Sequence, residues 1–186
     1  MLEKAILIAT KAHADQIDRS GEPYIMHPIR VMTHCATTFE KICAVLHDVV
    51  EDTSITLQDL RDAGFSEDIV HVIDLLSRRD DESYEAFIER ICTDIRACRV
   101  KRADLRDNMD MSRIKNPTPE DFQRMEKYEA ALKRIHDVLY PGEQVLKQTI
   151  RFQGRLILPE DISEGSFYNQ FMDLVESNHG YFVGLL

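Results

Sequence analysis

The sequence predicts a mainly α-helical bundle followed by a small C-terminal α+β appendage, and three observations carry that expectation. To about residue 140, apolar side chains recur at helical spacing behind residues of helix-capping type. Pro141-Gly142 then ends the pattern. Beyond it, Thr149-Ile-Arg-Phe-Gln-Gly-Arg-Leu-Ile-Leu alternates as a strand does. Residues 1–141 are therefore expected to form one helical domain and residues 142–186 a strand–helix–strand appendage. Two strands and a helix do not bury enough surface to stand alone, so the appendage is expected to pack on the helical body or to join a homo-oligomer.

The elements follow in order. Leu2, Ala5, Ile6, Ala9 and Ala12 mark one face of a helix over 2–16. Arg19-Ser-Gly-Glu-Pro-Tyr is a loop by its Gly and Pro. Pro28 suits the first position of a helix to about Ala36, which places His27 at the N-cap. Thr37 with Glu40 forms a capping box opening a helix through Val50, and Thr56 with Asp59 opens a short helix that Gly64 stops. Ser66 precedes a helix with Ile69, Val72, Ile73 and Leu76 on its apolar face. Ser83 starts another to about Cys92, and 94–111 form the next. Asn116-Pro-Thr-Pro-Glu-Asp is a turn and cap before a long helix over 119–140, and Phe167 to Ser177 is helical again.

Composition narrows the function classes. The 186 residues hold 23 Lys+Arg and 33 Asp+Glu, a net charge of −10, which argues against sequence-blind nucleic-acid binding. No apolar run suits a membrane span, and the opening residues lack the features of a signal peptide, so a cytoplasmic protein is expected. Cys35, Cys43, Cys92 and Cys98 show no C-x-x-C pair and are read as buried reduced thiols. The charge is uneven: residues 96–115 carry seven basic and three acidic groups inside an otherwise acidic chain.

Chemistry concentrates at His47-Asp48-Val-Val-Glu51-Asp52, where four polar groups end an apolar helix. Burying such groups without partners is costly, and a metal ion would supply the partners. His47 and Asp48 point about 100° apart around a helix, close enough to share one ion. Glu51 and Asp52 each lie one turn further on, a second layer able to handle protons. Nitrogen with carboxylate ligands suits Mn, Fe, Zn or Ni more than Ca. His27, and Asp104 with Asn108 one turn along, complete a candidate site. The second pair, His136-Asp137, reads as a solvated face.

The series His13-x-x-Gln16, Ser20-Gly-Glu-Pro-Tyr-Ile-x-His27-Pro, His47-Asp48-Val-Val-Glu51-Asp52-Thr53, Lys101-x-Ala-Asp104 and Asn108 resembles the hydrolase domain of Rel/SpoT alarmone enzymes and the small alarmone hydrolases, including the metazoan SpoT homologue. These are members of the HD superfamily of metal-dependent phosphohydrolases, and the resemblance covers about residues 1–140. It implies an HD-domain helical bundle and metal ligation by His27, His47, Asp48 and Asp104, with Mn2+ the usual ion and another divalent transition metal the alternative. It further implies Glu51 and Asp52 as the catalytic acidic pair and Asn108 beside the scissile phosphate and ribose. The implied reaction removes pyrophosphate from the 3′ position of ppGpp or pppGpp, with that small nucleotide the partner rather than nucleic acid or membrane.

Asp18, Arg19, Ser20, Lys101 and Arg106 are the candidate substrate-binding residues, with Arg102 beside them by location. Two departures from the family pattern stand out. A basic pair usually precedes the Ser-Gly-Glu-Pro-Tyr loop, its first Arg packing on guanine, and here it reads Asp18-Arg19. An Asp cannot stack as a guanidinium does, though it can accept hydrogen bonds from guanine N1 and N2. The family's Lys-Leu-Ala-Asp-Arg-Leu-His-Asn reads here Lys101-Arg-Ala-Asp104-Leu-Arg106-Asp-Asn108. Two alternatives therefore stand: an HD phosphohydrolase of another nucleotide or phosphorylated metabolite, and a non-catalytic nucleotide sensor. His13 and Gln16 are read as structural.

Overall fold

A computed structural model describes residues 1–114 and 117–141; the expected strands and helix of 142–186 lie outside the described residues. The described elements are α1 (Leu2–Ala12), α2 (Met26–Thr33), α3 (Thr38–Leu46), α4 (Val49–Asp52), α5 (Leu57–Asp62), α6 (Glu67–Leu76), α7 (Tyr84–Ile91), α8 (Ile95–Asn108), a 3-10 turn (Met111–Arg113) and α9 (Pro119–Leu139). Among the described residues the only β pairing is a single bridge between Ile17 and Pro23. The mainly α expectation holds for this region.

Local chemistry starts most helices where the sequence places them. Thr37 with Glu40, Thr56 with Asp59 and Thr118 with Asp121 all form reciprocal capping boxes, so each satisfies amide groups that the first helical turn leaves free. Ser83 caps α7 by accepting from the Ala86 amide. Ser66 precedes α6 without a side-chain cap. Gly64 follows α5 at φ +85°, the left-handed conformation that glycine adopts without a Cβ penalty.

α3 is the hub of the bundle. Its Ile42, Cys43, Ala44, Val45 and Leu46 are all buried, and it packs against α1, α2, α6 and α8. A helix buried on nearly every side explains why its apolar run is continuous rather than a stripe. α6 and α8 extend the core through Val72, Ile73, Cys98, Val100 and Leu105, and α9 closes it through Leu132 and Ile135. All four cysteines are free, with Cys35, Cys43 and Cys98 buried. No described helix is long and apolar enough to cross a membrane.

Four expectations are corrected. α1 stops at Ala12 rather than 16, and the chain turns through Asp15 at φ 67°. α2 begins before Pro28, because the Met26 and His27 amides already donate to Pro23 and Tyr24 carbonyls and wind the chain ahead of the proline. His27 is therefore inside the first turn, not at the cap. The helix expected from 37 to 50 breaks at His47–Asp48 into α3 and α4. There the His47 ring takes the Ala44 carbonyl, the acceptor that the residue 48 amide would use if the helix ran on. Finally, Asp137 is solvated with Lys133, but His136 is buried with its ring 4.9 Å from that of Tyr140.

Candidate metal centre and active site

Three helical segments converge on one point. α2 contributes His27, the α3–α4 break contributes His47 and Asp48, and α8 contributes Asp104. One ligand atom from each of His27, His47 and Asp104 lies within 4.8 Å of the others. Asp48 joins them: its Oδ2 lies 3.0 Å from His47 Nε2 and 3.5 Å from His27 Nε2. Asp104 Oδ1 lies 3.2 Å from His27 Nε2 and 3.5 Å from His47 Nε2.

The donor set fits a cation. His47 is 2% exposed, and its Nδ1–H donates to the Ala44 carbonyl at 2.7 Å, which leaves Nε2 facing inward. No hydrogen bond ends on that Nε2, although two carboxylates lie beside it. His27 is turned the same way, its Nδ1 donating to Asp107 Oδ2 at 2.7 Å. Two inward nitrogens and two carboxylates at one buried point match the ligand preferences of a divalent transition metal. The electrostatics agree. Burial opposes charge on His27, yet Asp104 and Asp107 outweigh it and push the imidazole up to about 10. Burial likewise opposes charge on His47, and Asp48 and Asp104 again prevail and raise it. The carboxylates thus favour positive charge at the centre, which a bound metal would supply.

Around this point lie groups suited to proton and phosphate chemistry. The Tyr24 hydroxyl donates to Asp48 Oδ2 at 2.6 Å and reaches Asp52 Oδ2 at 3.3 Å. Glu51 Oε2 accepts from the Arg78 amide at 2.8 Å. Partial burial, then neighbouring Asp48, raise the Asp52 carboxyl above its ordinary range; for Glu51, partial burial with Asp48 and Asp52 outweighs the Arg78 hydrogen bond. Lys101 Nζ sits 2.7 Å from Asp104 Oδ2, and Asn108 Nδ2 donates to Asp104 Oδ1 at 2.6 Å. Burial opposes the Asp104 charge, but Lys101 and the two histidines hold its carboxyl well below the carboxylate range.

A cavity of about 220 Å³ opens from the centre, lined by Tyr24, His27, Asp48, Glu51, Lys101, Asp104 and Asn108. Its other wall holds Arg78, Lys127, Tyr84 and Tyr128. Burial first, then the nearby Arg78, Arg124 and Lys101 against an opposing Glu85, lower the Lys127 ammonium. The Tyr84 hydroxyl is buried there with no hydrogen-bond partner.

The structure brings together His27, His47, Asp48, Glu51, Asp52, Lys101, Asp104 and Asn108 as the sequence arranges them. It places the other candidates elsewhere. Asp18 Oδ1 accepts from the Ser20 amide, the Ser20 hydroxyl and the Glu22 amide, so Asp18 and Ser20 serve their own loop. Arg19 pairs with Asp121 across to α9. Arg106 is half-buried on α8 outside the cavity lining, and Arg102 contacts Tyr140. Gln16 accepts from His13 and donates to the Asp52 carbonyl at 3.0 Å, so this structural pair pins the backbone of the acidic segment.

Sequence reasoning missed Tyr24 as a site group, the wall of Arg78, Tyr84, Lys127 and Tyr128, and Asp107. The signals for Asp107 are its place where the family motif has His and its spacing of three from Asp104, which turns both toward the same side of α8. Nothing local marks the wall, because its members come from α7, α9 and the segment after α6.

No family model matches the chain. Over 123 residues it is 33% identical to the bifunctional (p)ppGpp synthase/hydrolase SpoT of Escherichia coli, covering 58% of this chain and 17% of that protein. It is 32% identical, also over 123 residues, to a guanosine-3′,5′-bis(diphosphate) 3′-pyrophosphohydrolase of Vibrio cholerae, again 58% of this chain and 17% of the relative. With a probable GTP pyrophosphokinase of Mycobacterium leprae it shares 30% identity over 151 residues, 73% of this chain and 19% of that protein. The chain thus spans under a fifth of the length of these curated relatives. A solved structure described as a metazoan ortholog of SpoT that hydrolyzes ppGpp matches with a TM-score of 0.62 and 25% identity, over 75% of this chain and 85% of that one. In sequence and in fold, this chain is a relative of the SpoT-type ppGpp hydrolases.

Proposed function

We propose that the chain is a metal-dependent phosphohydrolase that removes the 3′-pyrophosphate of ppGpp or pppGpp, yielding GDP or GTP, with Mn2+ the favoured ion. The observation that carries this reading is the buried convergence of His27, His47, Asp48 and Asp104 beside the Glu51–Asp52 pair. Those four residues would hold the ion, which when bound supplies Lewis acidity at a phosphoryl oxygen and an acidified water. A sensor would need the cavity but not a second acidic layer with raised carboxyls.

This chain's own residues then divide the task. Asp52 and Glu51, whose carboxyls burial and their acidic neighbours raise above the ordinary range, orient a water and accept its proton. Tyr24 holds Asp52 and Asp48 in register through one hydroxyl. The water oxygen bonds to the phosphorus on the ribose 3′ oxygen, the P–O3′ bond breaks, and the 3′ oxygen takes up a proton as pyrophosphate is released. Arg78, Lys101 and Lys127 face the negative charge that builds on the phosphoryl oxygens, where preorganised cations act without reorganisation. An anion would also offset the repulsion that Arg78 adds to burial at Lys127. A chain of net charge −10 can therefore take a polyanion, because the cavity wall reverses the global sign locally.

Asp18 favours one second reading. Its carboxylate is committed to its own loop, so the base contact that an Arg would make there is missing, and another 3′-phosphorylated nucleotide would fit the same chemistry. Incubation with Mn2+ and a panel of nucleotides including ppGpp, followed by chromatography of products, tests both. Pyrophosphate release from ppGpp is the expected result. Turnover of a different nucleotide alone would move the substrate, and no turnover of any would refute the enzyme reading.

A further inference from the structure

Two of the positions that depart from the family pattern, 18 and 107, lie at opposite ends of one ionic network. Asp107 is buried on α8, where the pattern has histidine. Its Oδ2 accepts from His27 Nδ1 at 2.7 Å. Its Oδ1 accepts from Arg30 Nε at 2.7 Å, and Oδ2 also accepts from Arg30 Nη2 and Arg113 Nη2 at 3.1 Å each. Arg113 additionally donates to the Asp107 carbonyl. The same two guanidiniums reach Asp18 Oδ2 more loosely, Arg113 at 3.8 Å and Arg30 at 3.9 Å. Asp18 in turn gathers the Ser20 and Glu22 amides through its other oxygen.

The charges require this pairing. Two guanidiniums converge on one point, and an imidazole at position 107 could not neutralise them or accept from both. A basic residue at position 18 would add a third cation to the group. Acidic residues at both positions, with Asp110 Oδ2 a further 3.4 Å from Arg113 Nε, surround the two guanidiniums with carboxylates instead.

We propose that Asp107 is a positioning residue: it orients His27 so that Nε2 faces the metal centre, and through Arg30 and Arg113 it ties the 18–22 loop to that orientation. The two centre histidines are then held by different partners. His47 is fixed by a backbone carbonyl, which no substitution removes, whereas His27 depends on a side chain 80 residues away in sequence and adjacent in space. A carboxylate partner fixes the ring and also raises its basicity as a ligand. The proposal rests on the metal reading of the centre only for its consequence in ion affinity, and not for the hydrogen bond or the loop tie.

The test uses the full chain and Asp107→Ala and Asp107→Asn variants, with three readouts. The ring Nδ1 proton of His27, held by a carboxylate, gives a slowly exchanging downfield proton resonance in the metal-free protein. Mn2+ affinity is measured by titration, and amide hydrogen exchange is followed in residues 18–22. In Asp107→Ala the resonance disappears, Mn2+ binds about 10- to 100-fold more weakly, and loop exchange speeds up. Asp107→Asn keeps an acceptor, so the resonance survives and Mn2+ affinity falls far less, while the lost charge still speeds loop exchange. The Asn variant is nearly isosteric; if the Ala variant does not fold, an upfield shift of its surviving resonance, as a neutral amide replaces the carboxylate acceptor, carries the orienting arm, and an unshifted resonance overturns it. A resonance unchanged in Asp107→Ala would overturn the orienting role, and loop exchange unchanged in both variants would overturn the tie. If the native chain shows the resonance but binds no Mn2+, the metal reading fails while the orientation of His27 by Asp107 is supported.

Discussion

Replacing Lys101 with Met separates two charges that the fold has buried together. The Lys101 and Asp104 side chains are 13% and 3% exposed, and their charged atoms are 2.7 Å apart. Removing one partner of a buried pair costs about 3–5 kcal/mol, because the other charge is left without compensation. Asp104 keeps the Asn108 amide at 2.6 Å and His27 and His47 at 3.2 and 3.5 Å, which places the expected loss at the low end, about 3 kcal/mol. For a chain of this size that is roughly 6–12 °C in Tm. The sign reverses toward a cation: without the ammonium, Asp104 carries more uncompensated charge, so Mn2+ should restore more stability to Lys101→Met than to the native chain. Thermal unfolding of both proteins, once with a chelator and once with saturating Mn2+, reads both effects. A variant melting within about 2 °C of the native chain in chelator, or gaining less than it from Mn2+, would refute the reasoning.

Other perturbations probe separate parts of the molecule. Tyr24→Phe removes the hydroxyl that orients Asp48 and Asp52; a hydrogen bond to a charged group is worth about 1.5–3 kcal/mol, so kcat for ppGpp hydrolysis should fall about 10- to 150-fold with KM little changed, and an unaltered kcat would remove Tyr24 from the site. Leu46→Ala empties part of the core where α3 meets its neighbours and should cost about 2–5 kcal/mol in urea unfolding; a loss below about 1 kcal/mol would contradict the packing described. Glu40 supplies a pH test. Burial raises its carboxyl, but hydrogen bonds from the Thr37 amide, Arg99 and the Ala36 amide outweigh burial and hold it below its ordinary 4.5. A depressed folded value means stability present above 4.5 and lost as pH falls through the folded value, so the stability gap between the native chain and Glu40→Gln should shrink in acid below about pH 4.5. A gap independent of pH would show that the charge of Glu40 contributes nothing.

Much of the helical order was legible because its causes are local. A Thr and an acidic residue three positions later satisfy each other's amides wherever they occur, so the starts of α3, α5 and α9 could be read within four residues. The expected helix through Val50 shows the limit of that method. Apolar periodicity continues across His47 and Asp48, yet the helix breaks there, because the His47 ring takes a carbonyl and both residues are drawn toward α2 and α8. The cluster of His27, His47, Asp48, Asp104 and the Glu51–Asp52 pair was legible for a different reason: the types and spacing match a family pattern, and residue identity alone carries that match. The partners of the loop charges were not. Asp18 and Arg19 sit where the pattern suggests base contacts, but a charged side chain takes the nearest good partner, and these two find theirs in their own loop and in Asp121.

The sequence by itself determined the mainly α class, the capped starts of the helices, and the set of histidines and carboxylates able to hold a metal and move a proton. Those properties depend on side-chain chemistry and on neighbours a turn away. Only the tertiary structure decided which of the charged groups meet. The Asp107–His27 hydrogen bond joins positions 80 residues apart, and the basic cavity wall assembles from α7, α9 and the segment between α6 and α7. Charges interact through space rather than along the chain, so their partners are set by how the helices pack, and it is packing that sets a basic wall of Arg78 and Lys127 across from Asp48, Glu51 and Asp104 in an acidic protein.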